Sequence, residues 1–403
     1  MSRRRLKFLF LNAGHLLDHY LVLVFATAAA VRLTTEWDIS YAGLIPYATP
    51  GFVAFGVCSI PAGWLADRWS RDGMMVVFLL GLGASATLAG FANSPVQISA
   101  ALTLVGVFAA IYHPVGLAMV VEGRKETGVA LAINGVFGNL GVASAALVTG
   151  FLIDTWGWRS AFSVPGVVSI LLGFIYLSLF RDNTSTRLAG SDTRDGERTA
   201  HAGPTLTSAE IRRILGVVLI TAALGGFIFQ STTFALPKIL SERASDLAQT
   251  ATLVGWYAFQ VFALAALAQL VVGYLLDRHS VRTIFAGVAI LQAAFFAIIV
   301  PLNGALALVV AGAFMLVVFG QIPINDVLVG RLAREDWRSR AYALRSVVSF
   351  SVMALTLPVI GWLHASRGFN ALFTLLAILA LGVFFAALCL PASSKVLRTT
   401  ESV

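Results

Sequence analysis

The sequence predicts an all-α membrane protein with twelve transmembrane helices, built as two six-helix bundles related by a parallel repeat. Three observations predict it. Of 403 residues, 58% are apolar and only 12% are charged, whereas a soluble chain carries about 25% charged residues. Apolar runs long enough to cross a bilayer, about 20 residues each, follow one another along the chain. A short motif after the second run returns 210 residues later, after the eighth.

Breaks at charges, Pro and Gly place the spans near 7–31, 42–65, 74–92, 97–121, 128–152, 160–180, 213–236, 250–275, 283–301, 305–330, 341–364 and 370–391. The first run follows Arg3-Arg4-Arg5 and resembles a signal peptide. It is longer than the roughly 7–15 apolar residues of a signal core, and Asn12, His15, Asp18 and His19 interrupt it. It is therefore expected to be a retained helix. Cys58 and Cys389 each lie in an apolar run, which suits small core residues rather than a disulfide framework or metal knuckle.

Lys and Arg set the orientation. With the N-terminus inside, 22 of the 28 fall in segments assigned to the cytoplasm and five in segments assigned outside, while Arg345 lies within a span. Both termini are thus expected in the cytoplasm, across a bacterial inner membrane. The net charge of +8 follows this distribution and does not mark a nucleic-acid surface. Residues 181–212 are rich in Ser, Thr, Gly and charge and cannot bury a core. They read as a cytoplasmic linker between bundles 1–180 and 213–391, with 392–403 as a tail. Thr207-Ser208-Ala209-Glu210 reads as a capping box.

The halves repeat. Gly63-Trp64-Leu65-Ala66-Asp67-Arg68 returns as Gly273-Tyr274-Leu275-Leu276-Asp277-Arg278, and Gly157-Trp158-Arg159-Ser160-Ala161-Phe162 has a weaker echo in Arg367-Gly368-Phe369-Asn370-Ala371-Leu372-Phe373. Fixed-offset similarity between two sets of six spans is the mark of parallel transporter repeats.

The G-x-L-x-D-R pattern, with Arg71 following, resembles the signature of the major facilitator superfamily. That resemblance implies alternating access, with two bundles rocking about a central cavity. It also implies that Asp67, Arg68, Arg71, Asp277 and Arg278 form inter-helix charge contacts that gate it. Gly14-His15-Leu16-Leu17-Asp18-His19, Tyr112-His113-Pro114-Val115 and Gly138-Asn139-Leu140-Gly141 are similar to motifs of the fosmidomycin-resistance group of exporters. Here the acid stands one position earlier, His19 takes its usual place, and Val115 stands where that group has glutamate.

At 100° per residue, Asn12, His15, Asp18 and His19 share one face of the first helix. Ionisable groups at membrane depth are costly and face a wet cavity or one another. His15 and His113 each lie about eight residues, or roughly 12 Å, from the same end of their helices, so the depths match. The positions 210 residues on, Gly225, Ile228 and Phe229, with Ile322 and Pro323 near the counterpart of His113, carry no ionisable group. The site is thus expected in one half only. Its substrate- or proton-binding residues are Asn12, His15, Asp18, His19, Tyr112 and His113, with Asp326 and Arg345 as a further buried pair in the second half. His15, Asp18, His19 and His113 form a divalent-metal ligand set in the alternative reading. Gln230, Gln260, Gln269, Gln292 and Gln321 read as helix–helix glue.

The spaced glycines of span 5 suit close helix packing, and the sequence contains no P-loop. Neither an enzyme nor a cofactor is expected. The function expected is proton-coupled export of a small molecule by a monomer in the bilayer. The rivals are transport of a metal ion or metal chelate, and a non-transporting sensor or assembly factor.

Overall fold

The computed structural model describes residues 2–122, 128–184, 208–332 and 335–390; side chains at 128, 181–184, 208–211, 326, 329–332, 335–347 and 350 are excepted. The linker centre, the capping box at Thr207 and the tail fall outside the described residues.

Every described regular element is helical. Eleven helices among the described residues are long and apolar enough to cross a membrane: α1 (Arg3–Glu36), α2 (Tyr41–Arg68), α3 (Arg71–Gly90), α4 (Pro95–Val121), α5 (Val129–Trp156), α6 (Trp158–Phe180), α7 (Arg212–Arg243), α8 (Ala251–Arg278), α9 (Val281–Ile298), α10 (Gly304–Asn325) and α11 (Ser351–Leu388). The first ten overlap the first ten expected spans, with ends differing by up to seven residues, most at the end of α7 (243 against 236). The last two expected spans share one helical stretch, Glu335–Leu388, which leaves helical geometry at Gly368 (φ 64°, ψ −163°).

Helix starts follow local chemistry. Ser70, Ser94, Thr250 and Ser280 accept from the backbone N–H three residues on, at 3.0–3.3 Å, which satisfies a donor that the first turn would otherwise orphan. Val57, Ile60, Leu270, Val309 and Trp362 are all more than 60% exposed. Apolar residues so exposed on every side suit contact with lipid.

The repeat is visible in three dimensions. Gly157 (φ 83°) and Gly368 (φ 64°) both have positive φ, 211 residues apart. Only glycine adopts that conformation without strain, which explains why this weak echo persists. Arg68 stacks 4.4 Å from the Trp64 ring and Arg278 4.1 Å from that of Tyr274. The halves join by an exchanged pair of close approaches. A Cβ on Gly150 of α5 would lie 2.1 Å from the Ala251 carbonyl of α8; one on Gly361 of α11 would lie 2.7 Å from that of Ala42 of α2. Around them Asp154 Oδ2 accepts from Thr252 N (2.7 Å) and Oγ1 (2.6 Å), Lys238 lies over Tyr41, and Phe234 meets Phe25 and Phe52. These contacts hold the halves together at the end where α1 and α7 finish.

Candidate functional site

Helices α1, α4 and α5 build the site. Gly141 brings α5 against α1: a Cβ there would stand 2.3 Å from the Leu16 carbonyl. One turn earlier, a Cβ on Gly138 would meet the His15 ring at 2.7 Å. The two glycines clear a berth that this imidazole fills. In α4 the run Tyr112–Gly116 widens into a π turn. Pro114 has no N–H to continue the α ladder, and such turns redirect side chains, often at functional sites. Tyr112 thus points between α1 and α5, while the adjacent His113 faces Asp18.

The hydrogen bonds form one network. Asn134 Nδ2 donates to Asn12 Oδ1 (2.9 Å) and to the Tyr112 hydroxyl (2.9 Å). That hydroxyl donates to the Leu11 carbonyl (2.7 Å). The Asn134 carbonyl accepts from His15 Nδ1 (2.8 Å). A carbonyl can only accept, so the His15 proton sits on Nδ1 and the Nε2 lone pair is left free. His15 stacks on Tyr112, its centroid 4.8 Å away, and its ring lies 4.9 Å from His19 and 5.6 Å from His113. His19 and His113 are 5.5 Å apart.

Asp18 is 1% exposed, with Oδ2 3.6 Å from His113 Nε2; the His113 side chain is 31% exposed. Asp18 Oδ1 has no hydrogen-bond partner. A buried carboxylate is costly unless it is paired or protonated, so Asp18 is poised between an ion pair with His113 and the neutral acid. The three histidines offer ring nitrogens within 4.8 Å of one another, and the Nδ1–H bond of His15 to a carbonyl is the support that a metal-bound imidazole uses. The donor set therefore also suits a divalent cation.

All six first-half residues expected at the site come together. Asn134 completes them, and sequence reasoning missed it. Its signal was its register: Asn134, Gly138 and Gly141 lie on one face of α5 at the i, i+4, i+7 spacing. The expected gate residues sit at the helix ends, where Arg71 pairs with Asp67 at 3.1 Å and Glu122 at 3.7 Å. Arg68 and Arg278 engage aromatic rings of their own helices. The side chains of Asp326 and Arg345 lie outside the described set.

In the second half, the counterparts of His15, His19 and His113 converge as the repeat requires. Gly225, Phe229 and Ile322 line one cavity of about 240 Å³, with Gln321, Asn325, Ser349 and Met353. No ionisable side chain lines it among the described residues.

The family model described as Major Facilitator Superfamily matches residues 8–245 and 239–402. The chain belongs to the Major Facilitator Superfamily. Curated relatives within reach include the 4-hydroxybenzoate transporter PcaK of Pseudomonas putida, 22% identical over 66% of this chain and 65% of its own length. The gallate transporter of Pseudomonas putida is 24% identical over 64% of this chain and 62% of that protein. These matches thus span just under two thirds of each relative. The puromycin resistance protein pur8 of Streptomyces alboniger is 32% identical over 30% of this chain and 24% of that protein. Among solved structures, a bacterial homolog of the human lysosomal transporter Spinster, inward-facing and unoccupied, superposes over the whole of both chains with a TM-score of 0.76 at 15% identity. A D-xylose-proton symporter does so with a TM-score of 0.72 at 13% identity, covering 96% of this chain and 98% of that one. At such identities the structures share the superfamily fold. The chain thus has the helices of a multi-pass membrane protein of that superfamily.

Proposed function

We propose that this transporter couples export of a small molecule to proton entry through Asp18 and His113, assisted by His15 and His19. One observation carries the reading: a carboxylate 1% exposed faces an accessible imidazole at 3.6 Å, in the half that alone holds such a cluster among the described residues. A proton taken by this pair from one side and released to the other as the halves rock would drive the cycle. Histidine ordinarily titrates near pH 6.5, within physiological range.

The frame for this cycle is twelve spans, with the break at Gly368 dividing the last two. Both termini face the cytoplasm of a bacterial inner membrane, as the Lys and Arg distribution supports, and the monomer is the working unit. The joined end is then the outer one, and the cavity opens inward. The charged residues at 67, 68, 71, 277 and 278 gate the inner end. Export is supported by the histidine motifs of α1 and α4. The 4-hydroxybenzoate, gallate and puromycin relatives support small aromatic acids and that antibiotic as compounds to assay first.

Everted membrane vesicles energised by respiration test the coupling. Compounds from that set are added while an acridine dye reports the interior acid load. The wild type is expected to release protons with its substrate, and Asp18→Asn is expected to release none. Equal release by the variant overturns the reading. A second reading, transport of a divalent cation, is favoured by the 4.8 Å grouping of the three histidines. Calorimetric titration with Zn²⁺, repeated on His15→Ala and His19→Ala, decides it: tight binding lost in both variants favours the cation.

A further inference from the structure

The second half carries a hydrogen-bonding device that the coupling cycle does not use. Gln292 Nε2 donates to the Val317 carbonyl (3.2 Å) and to Gln321 Oε1 (2.8 Å). A carbonyl can only accept, so this pair of bonds fixes both amides. Gln321 therefore spends its oxygen on Gln292 and keeps its NH₂ group. That nitrogen has no partner although the side chain is 5% exposed. A buried donor left unpaired costs about 1–3 kcal/mol, so its persistence needs a reason.

The reason lies in where the group sits. Gln321 lines the second-half cavity, and its Nε2 lies against Gly225, where a Cβ would stand only 2.4 Å away. Gly225 gives that amide its room. One helical turn on, the Thr221 hydroxyl lies 3.0 Å from Asn325 Oδ1. The same hydroxyl also reaches the Val218 carbonyl at 3.3 Å, and a hydroxyl donates or accepts, so Asn325 brings a second amide to the cavity that can present either end. Positions 321 and 325 share a face of the same helical run at i, i+4 spacing. Both line the cavity, with Phe229, Ile322, Ser349 and Met353 around them. The pocket therefore offers the Gln321 amide donor, with Asn325 beside it, on one wall and a largely apolar surface around them.

We infer that this cavity is a substrate subsite that binds the acceptor oxygen of a small, flat, largely apolar organic molecule, a carboxylate or a carbonyl, through Gln321 and Asn325. Gln292 and Thr221 act as positioning residues that turn the two amides. The inference deepens the transport reading and rests on it, but it assigns recognition to a cavity lined by no ionisable side chain among the described residues. Two independent features point to a ligand: an unpartnered, buried donor, and a neighbouring cavity of a size for a molecule of roughly ten heavy atoms.

The test is equilibrium binding to the purified full chain in detergent, without any gradient. The probe is radiolabelled benzoate, with acetophenone and ethylbenzene as competitors of similar shape. The wild type is expected to bind benzoate, or to bind acetophenone in a direct assay, and to ignore ethylbenzene. The two acceptor-bearing arms separate a charged from an uncharged ligand. Gln321→Met keeps shape and removes the donor, and it should weaken binding at least tenfold. Asn325→Leu, used if the first variant is not monodisperse, should weaken it several-fold. Binding unchanged in Gln321→Met, equal competition by ethylbenzene, or no binding of either acceptor-bearing probe overturns the subsite. Loss of binding in Gln321→Met together with intact proton release in Asp18→Asn overturns the coupling reading alone.

Discussion

The two halves of this chain share a scaffold and fill it differently at one place. In the first half, His15 projects from α1 into the space opened by Gly138 of α5. In the second half the counterpart of His15 is Gly225 on α7, beside Gly226, and the counterpart of Gly138 is Ser349, which lies at ordinary contact distance from Gly226. The ring has been lost in the second half, and its place stands open. One half spends the space on an imidazole cluster with a buried carboxylate; the other leaves a cavity lined by neutral amides. A repeat can thus keep its crossing geometry, set by Gly141, Gly150 and Gly361, while the residues between the crossings diverge into separate tasks.

The comparison breaks most visibly if the first-half network proves no more costly to disrupt than the second. Asn134 serves Asn12, Tyr112 and His15 at once. Asn134→Leu removes both side-chain bonds and leaves Asn12 Oδ1 unpaired while keeping the main-chain bond to His15, and it is expected to remove about 2–3 kcal/mol in denaturant titrations of the purified protein. Gly138→Ala drives a methyl into the His15 ring and should cost about 1–3 kcal/mol by overpacking, read as a fall in melting temperature. Gly226→Ala, where the neighbours stand 3.7 Å off, should leave that temperature nearly unchanged. A similar loss at both glycines contradicts a filled space in one half and an open one in the other.

Smaller effects sharpen the account. Thr221→Val removes one hydroxyl and one bond to Asn325, with an expected cost of about 1 kcal/mol. It should also weaken benzoate binding, because Asn325 is then free to turn. Arg68→Ala and Arg278→Ala each remove one exposed stack on an aromatic ring, worth about 0.5–1 kcal/mol. The two losses should match, since the repeat preserves this contact in both halves.

Much of the molecule was legible in the sequence, for physical reasons that differ by region. Apolar length and charge placement mark spans directly because lipid leaves no alternative to a helix. The convergence of His15, His19 and His113 followed from equal depth on two helices. Asn134 escaped because a lone amide in an apolar helix looks the same whether it glues helices or orients a histidine; only its glycine register set it apart. The π turn at Tyr112–Gly116 was also hidden, because proline announces a break in the ladder without saying how the turn closes. Gln321 was read as glue, and its oxygen does bond α9 to α10. That its nitrogen remains unpaired depends on the direction of the Gln292 amide, which no sequence pattern records.

The sharpest test of a divided molecule separates proton coupling from movement of substrate. In proteoliposomes, Asp18→Asn is assayed for exchange of labelled substrate across the membrane at equal pH, and for accumulation driven by a pH gradient. The account predicts that exchange survives within about twofold, since recognition lies in the other half, while gradient-driven accumulation falls to the level of empty liposomes. Accumulation at the wild-type level would place the coupling elsewhere and contradict the account.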